Sequence, residues 1–282
     1  MSDKQNLADS RAFSRGRRDV GPSGSALPVW WLVFSRELAE LWIGGKALLL
    51  ILAYSILLGF QTYVQVKTSE SSLIPPKEMV FSLLQIVFYV GGFIGMVIGA
   101  DSISGERVRG TLEALLLTPA SRRQIIIGKF LAGLSPWPVA MLIAIPFLNV
   151  LSQGDKVFSQ SLIWGGFVGS LLAIGFTGLG MLVSFWSNSN RSSFFVSLGI
   201  YLVILLPTTW PGRAVRGLVA KFFQRMNPLE ATNEFLEKIL VNNRSLAEFQ
   251  SWLRSPVIFA ALMIGLLLLY AGSRLRFDAR QG

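Results

Sequence analysis

The chain has 282 residues, of which 52% are hydrophobic and only 15% charged, with a net charge of +10. Soluble domains carry about a quarter charged residues, so this composition argues against an ordinary soluble protein. Cysteine and histidine are both absent, which excludes disulfides and the usual zinc and copper ligand sets.

Six intervals of the chain contain no charged residue. They are residues 47–66, 79–100, 130–154, 157–190, 192–212 and 255–273. A membrane-spanning helix needs about 20 residues, whereas helices of soluble proteins average about 10–14. The sequence therefore predicts an all-α integral membrane protein. Its transmembrane domain covers residues 47–273, with six spans at about 47–66, 79–100, 130–151, 162–186, 193–211 and 255–273.

The residues before the first span divide into a tail and a helix. Residues 1–28 are polar, have no apolar core and predict a disordered basic tail. In residues 29–46 the apolar positions recur every three or four residues: Trp30, Trp31, Phe34, Leu38, Leu41 and Trp42. The other face carries Arg36, Glu37, Glu40 and Lys46. This pattern predicts a helix that lies in the membrane interface.

The distribution of lysine and arginine predicts the orientation. Six spans place both termini on one side, and that side carries sixteen of the basic residues, against ten on the other. The positive-inside rule therefore predicts that residues 1–46, 101–129, 188–191 and 274–282, and with them both termini, are cytoplasmic. The expected location is the inner (plasma) membrane. Anionic lipid headgroups explain the positive charge, and no nucleic-acid partner is expected.

The spans themselves carry signs of close packing. They contain no buried charge of the kind that ion-driven transporters use. Glycines recur every fourth residue at Gly91, Gly95 and Gly99 and at Gly165 and Gly169, which predicts close helix contacts within one subunit or between two subunits. Pro136, Pro138 and Pro146 predict kinks in the third span.

The long segment from 213 to 254 predicts two short amphipathic helices on the outer side, before the sixth span. The first begins at Asn227-Pro228 and has Leu229, Phe235, Leu236, Ile239 and Leu240 as its apolar residues. The second begins at a capping box of Ser245 and Glu248. Its apolar face comprises Leu246, Phe249, Trp252 and Leu253.

The segment between the second and third spans is unusually polar. We expect the second helix to continue past Ala100 through Glu106 and to stop at Gly110-Thr111. A short helix then presents one apolar stripe of Leu112, Leu115 and Leu116, with Glu113 beside it, and ends at Thr118-Pro119. Ser121 and Gln124 predict a capping box at the start of the third span. A short amphipathic helix between two breakers favours a docking element over a simple turn.

The same segment resembles a known family. Gly105-Glu106, Gly110-Thr111-Leu112-Glu113, Leu115-Leu116, Thr118-Pro119, Ser121-Arg122 and Gly128-Lys129 resemble the signature of type-2 ABC exporter permeases. The resemblance is closer to the gliding-motility and multi-copper-enzyme-maturation branch, whose six spans come without an ATPase domain. The long basic N-terminal tail departs from that pattern.

The resemblance implies a function and partners. It implies alternating access driven by a separate ABC ATPase subunit, with two ATPase copies and two permease copies, identical or different. ATP and Mg²⁺ would be bound by the ATPase. The coupling residues implied are Glu106, Gly110, Thr111, Leu112, Glu113, Leu115, Leu116 and Pro119.

No phosphate-binding loop is recognisable in the chain. The motif G-x-x-x-x-G-K-[ST] fails at Gly128-Lys129, where Arg123 and Phe130 stand at the required positions. It also fails at Gly45-Lys46. We therefore expect no catalytic residue, cofactor or metal in this chain. The alternative is a membrane scaffold or a membrane-embedded lipid enzyme without transport, and the substrate is not indicated by the sequence.

Overall fold

The computed structural model describes residues 28–71, 74–111, 121–154, 156–209, 225–242 and 246–273, in which every regular element is a helix. The helices are α1 Val29–Ile43, α2 Lys46–Ser71, α3 Pro76–Arg109, α4 Arg122–Leu134, α5 Pro136–Ser152, α6 Val157–Gln160, α7 Gly166–Trp186, α8 Asn190–Thr209, α9 Pro228–Leu236 and α10 Leu246–Ser273. Two π-helical turns, Ser161–Gly165 and Glu237–Val241, join α6 to α7 and extend α9. The predicted terminal tails (all but residue 28) and the coupling residues 112–119 lie outside the described ranges.

Within the described ranges, six helical segments are long and apolar enough to cross a membrane. They are Lys46–Lys67, Pro76–Arg109, Arg122–Ser152, Val157–Trp186, Asn190–Thr208 and Ser251–Tyr270. Large apolar side chains on α2, α8 and α10, such as Phe60, Val203 and Leu269, are more than 60% exposed, as expected of surfaces that face lipid. The prediction of an all-α membrane protein with six transmembrane helices is confirmed.

Helices α3 and α7 form the centre of the bundle. Their backbones touch because glycines face each other: a Cβ on Gly99 would collide with the carbonyl oxygen of Thr177, and one on Gly180 with that of Met96. The other glycines predicted to mediate packing also meet residues of this chain; these are Gly91, Gly95, Gly165 and Gly169. The structure therefore favours packing within one subunit, the first of the two alternatives that the sequence left open.

The third span consists of two helices. Helix α4 ends at Leu134, and α5 begins at Pro136, which needs no backbone hydrogen-bond partner in the first helical turn. Trp42 Nε1, at the end of α1, donates a hydrogen bond of 3.0 Å to Ser135 Oγ at this break. The helix continues through Pro146. The third span is thus interrupted at the first of the three prolines.

Helix α1 is separate from the first span and packs along α4. It ends at Ile43, before a turn at Gly44 and Gly45 in which Gly45 has a φ of +80°. The contact with α4 is close, since a Cβ on Gly128 would lie 2.9 Å from the Trp30 carbonyl oxygen. The predicted helix is therefore present but shorter, because Lys46 begins α2. Its position in the membrane interface stays a prediction.

The segment before the sixth span differs from the expectation. The Asn227 side chain caps α9 by accepting from the backbone N–H groups of Leu229 and Glu230, at 3.0 and 3.3 Å. Phe235 and Leu236 are fully buried, and Phe235 packs edge-on against Trp164 of the turn before α7. Helix α9 therefore enters the core of the bundle and does not merely cover its outer surface.

The second predicted outer helix is not a separate element. Leu246–Ser273 is one continuous helix, so Leu246 to Arg254 form the first turns of α10. The capping box of Ser245 and Glu248 cannot be compared, because Ser245 and the side chain of Glu248 lie outside the described residues. No helix break separates these turns from the apolar run, since the helix continues through Pro256.

Candidate functional site

The candidate site is the base of the connector, a term used here for residues 110–120. Helix α3 extends beyond the apolar part of the second span and ends where Gly110 adopts φ +71°. The N–H of Gly110 donates to the Arg107 carbonyl (3.2 Å) and that of Thr111 to the Glu106 carbonyl (3.1 Å). This arrangement is a Schellman cap, which requires a left-handed residue and so favours glycine. The predicted helix end at Gly110-Thr111 is confirmed.

The other end of the connector is also capped. The Gln124 N–H donates to Ser121 Oγ at 3.3 Å, and the Ser121 N–H donates to Gln124 Oε1 at 3.0 Å. Both hydrogen bonds of the predicted capping box are therefore present. The connector thus leaves one well-defined helix end and enters another.

A buried carboxylate joins the two ends. Glu106 is 1% exposed and its carboxylate accepts from Thr111 Oγ1 at 2.5 Å. Its other oxygen lies 3.1 Å from Nζ of Lys129, a residue of α4 that is itself 3% exposed. Charged side chains are rarely buried unless they are paired. The pair therefore fixes the end of α3 to the start of the third span.

The same lysine reaches the N-terminal helix. Lys129 Nζ lies 2.6 Å from Oε1 of Glu37, and one turn further along α1 Glu40 pairs with Arg109 at 2.8 Å. We call these five residues, Glu37, Glu40, Glu106, Arg109 and Lys129, the ion-pair cluster. It connects α1, α3 and α4. Its buried part, Lys129 with Glu106, contributes little net stability compared with apolar residues, but losing one member leaves a charge unpaired. The main effect of the cluster is therefore to fix the relative positions of the three helices.

The three carboxylates of the cluster could be mistaken for a metal site. Oxygen atoms of Glu37, Glu40 and Glu106 lie within 4.8 Å of one another. However, Lys129 Nζ contacts two of these carboxylates and Arg109 contacts the third. The positive groups already occupy the positions that a cation would take and would repel it. The geometry is that of an ion-pair network.

The end of α3 is held on its other side by the turn between α7 and α8. Arg107 Nη1 donates to the carbonyl oxygen of Ser187 at 2.7 Å. Ser184 Oγ accepts from the N–H groups of Ile103 (3.1 Å) and Ser104 (2.7 Å). A displacement of the end of α3 would therefore displace α7 as well as α1 and α4.

The structure places three of the eight predicted coupling residues together. Glu106, Gly110 and Thr111 meet at the end of α3. Leu112, Glu113, Leu115, Leu116 and Pro119 lie outside the described residues, and their coupling role stays a prediction. The role of Lys129 as the shared partner of Glu106 and Glu37 was not predicted. The sequence did contain a signal for such a partner. Lys129 is the last charged residue before a long apolar interval, and a charged side chain at that place needs a partner.

Comparison with known proteins agrees with this architecture. The ABC-2 family transporter proteins match the chain over residues 30–281. The probable ABC transporter permease protein NosY of Pseudomonas aeruginosa is 27% identical over 187 residues, which cover 64% of this chain and 68% of that protein. The family match over residues 30–281 contains the six spans, all but the first residue of α1, and the whole connector. The chain therefore belongs to the ABC-2 transporter family and is the transmembrane subunit of an ABC transporter.

Proposed function

We propose that the chain is the permease of an ABC exporter and moves its substrate by alternating access, driven by a separate ATPase subunit. Family membership and the signature in residues 105–129 support this proposal. The observation that carries it is the chain of contacts from Thr111 through Glu106 to Lys129. A simple turn between two helices would need no such buried polar structure.

The contacts suggest how force would pass from the ATPase to the membrane. The connector docks on the ATPase with Leu112, Leu115 and Leu116, and ATP binding moves it. Because Glu106 and Lys129 hold the two ends of the connector together, α3 and α4 move as one unit. Helix α1 moves together with α3 and α4, because its Glu37 pairs with Lys129. The break at Ser135 is the hinge at which α4 changes its angle to α5.

The assembly comprises two permeases, identical or different, and two ATPase subunits that bind ATP and Mg²⁺. The translocation path runs between the two permeases. The complex lies in the inner (plasma) membrane, and both termini of this chain are in the cytoplasm. The name of the Pseudomonas aeruginosa relative, an ABC transporter permease, supports this assignment. The sixteen basic residues assigned to the cytoplasmic side support the orientation.

Co-expression with the cognate ATPase tests the proposal. We expect a stable complex that hydrolyses ATP, and no hydrolysis by the permease purified alone. A scaffold or a lipid enzyme would not retain the ATPase through purification. ATP turnover by the isolated permease, or failure of any encoded ATPase to bind it, would contradict the proposal.

A further inference from the structure

A cavity of about 460 Å³ opens next to the ion-pair cluster. Helices α1, α2, α3, α4 and α8 all contribute to its walls. Its volume falls in the range of small-molecule sites, about 300–1,000 Å³. Two of its lining residues, Leu49 of α2 and Phe195 of α8, are each 68% exposed, on helices whose outer faces are apolar. The cavity is therefore open towards the lipid between the first and fifth spans.

The cavity is amphipathic. Apolar side chains such as Leu50, Val97 and Phe194 line one part of it. Charged and polar side chains, among them Asp101 and Arg191, line the other part, at the end of the bundle where the connector lies. A molecule with an apolar chain and a polar headgroup matches this division, with the headgroup towards the connector.

The charges of the lining select the sign of the headgroup. Each lining carboxylate is already paired: Glu37 with Lys129, Glu40 with Arg109 and Asp101 with Lys46. The fourth lining cation, Arg191, is exposed and makes no ion pair within the described part of the chain. Among the charged lining side chains, Arg191 is thus the one without an ion-pair partner in the described part of the chain. A guanidinium group binds carboxylates and phosphates through paired hydrogen bonds.

We propose that this cavity is where the permease takes up an amphipathic substrate with an anionic headgroup from the inner leaflet. The headgroup binds Arg191, and the chain lies against Val97 and Phe194. A cationic headgroup would find no free carboxylate and would be buried unpaired. A small soluble anion would leave the apolar wall empty. The inference rests on the proposed exporter function and adds a substrate class to it.

The binding test uses the permease–ATPase complex in detergent. The probes are pyrene-labelled phosphatidylglycerol, which is anionic, and pyrene-labelled phosphatidylcholine with the same chains, detected by energy transfer from tryptophan. We expect tighter binding of phosphatidylglycerol to the native protein. Arg191→Gln removes a charge-assisted contact and should weaken that binding by roughly tenfold or more. Binding of phosphatidylcholine should not change. Inorganic phosphate should not compete, because it lacks an apolar chain.

Two further variants sharpen the test. Arg123→Gln removes an exposed arginine at the start of α4 that does not line the cavity, and it should bind phosphatidylglycerol normally. Val97→Phe fills the apolar part of the cavity and should weaken the binding of both probes. An unchanged elution profile and melting temperature would show that each variant is folded. Equal affinity of Arg191→Gln and the native protein for phosphatidylglycerol would overturn the inference.

A transport test separates this inference from the proposed function. In proteoliposomes, ATP should drive the phosphatidylglycerol probe to the opposite leaflet, and Arg191→Gln should slow that transfer. If the complex assembles and hydrolyses ATP but leaves the bound probe in place, the substrate assignment is wrong and the exporter function stands. If no ATPase assembles with the permease, the exporter function fails, and with it the substrate assignment.

Discussion

Nζ of Lys129 lies 3.1 Å from Oε1 of Glu106, although the whole connector separates the two residues in the chain. Both side chains are almost fully buried, with 2% and 1% exposure. The pair therefore holds together the two helix ends that flank the connector. Because Lys129 also holds Glu37, three helices depend on one ammonium group.

Removing that ammonium should destabilise the protein strongly. Lys129→Met leaves the buried Glu106 and the half-buried Glu37 without their shared partner, and we expect a loss of about 3–5 kcal/mol in the free energy of unfolding. Thermal unfolding in detergent, followed by fluorescence-detected size exclusion, measures this loss of stability. Replacing all three charges, in Glu37→Gln/Glu106→Gln/Lys129→Met, should restore most of the stability, since no charge is left unpaired. A triple variant no more stable than Lys129→Met would contradict this explanation.

An ion pair nearby provides the matched control. Lys46 and Asp101 are 2.5 Å apart, but the Lys46 side chain is 48% exposed. Lys46→Met should therefore lower the free energy of unfolding by only about 0–1 kcal/mol. An equal loss in both lysine variants would mean that burial does not distinguish the two pairs.

The hydrogen bond from Thr111 to Glu106 should matter for coupling. Thr111→Val keeps the shape of the side chain but removes the donor of the 2.5 Å bond, with an expected cost of about 1.5–3 kcal/mol for a bond to a charged group. Thr111→Ser retains the hydroxyl and should behave like the native protein. Melting temperature and ATP-dependent transport by the complex are the two measurements. Equal behaviour of the valine and serine variants would show that the hydroxyl has no role.

The leucine stripe of the connector should carry the binding of the ATPase. Burying each of Leu112, Leu115 and Leu116 is worth about 1.5–3 kcal/mol, and Leu116→Asp would place an unpaired charge in the interface. We expect normal membrane levels of Leu116→Asp but no co-purified ATPase. Glu113→Ala should have a milder effect. Unchanged ratios of ATPase to permease in both variants would show that the connector has no docking role and only turns the chain.

The glycine contact between α3 and α7 should not tolerate a methyl group. In Gly99→Ala the new Cβ meets backbone atoms of α7, which cannot rotate away, so we expect a loss of about 1–3 kcal/mol. Gly199→Ala is the control, because a Cβ there meets nothing within 4 Å. It should be neutral or slightly stabilising, since alanine favours helix more than glycine. Thermal unfolding of the two variants, side by side, decides the matter.

The orientation can be tested with reporters. Sixteen basic residues on the predicted cytoplasmic side, against ten on the other, predict a cytoplasmic reporter when it is fused after Gly282. A reporter inserted after Asn243 should be external. The reverse pattern would show that the seven basic residues between 213 and 254 outweigh the others, and the connector could then not reach a cytoplasmic ATPase.

Several local features of the site could be predicted from the residues concerned. Gly110 and the pair Ser121 and Gln124 mark helix ends because their conformations and hydrogen bonds involve only neighbouring residues. The partners of Lys129 could not be predicted in this way. Glu37 lies 92 residues away from it, and no periodicity in the sequence relates the two.

The sequence by itself determined the number of spans and the two capped ends of the connector. Hydrocarbon requires long uncharged helices whose backbone groups are satisfied internally, so charge-free intervals identify them directly. Only the tertiary structure decided that the glycines of α3 meet α7, that α9 is buried in the core, and that Lys129 joins three helices. These features depend on how distant helix faces fit together, and that fit is a property of shape and packing that a linear pattern does not contain.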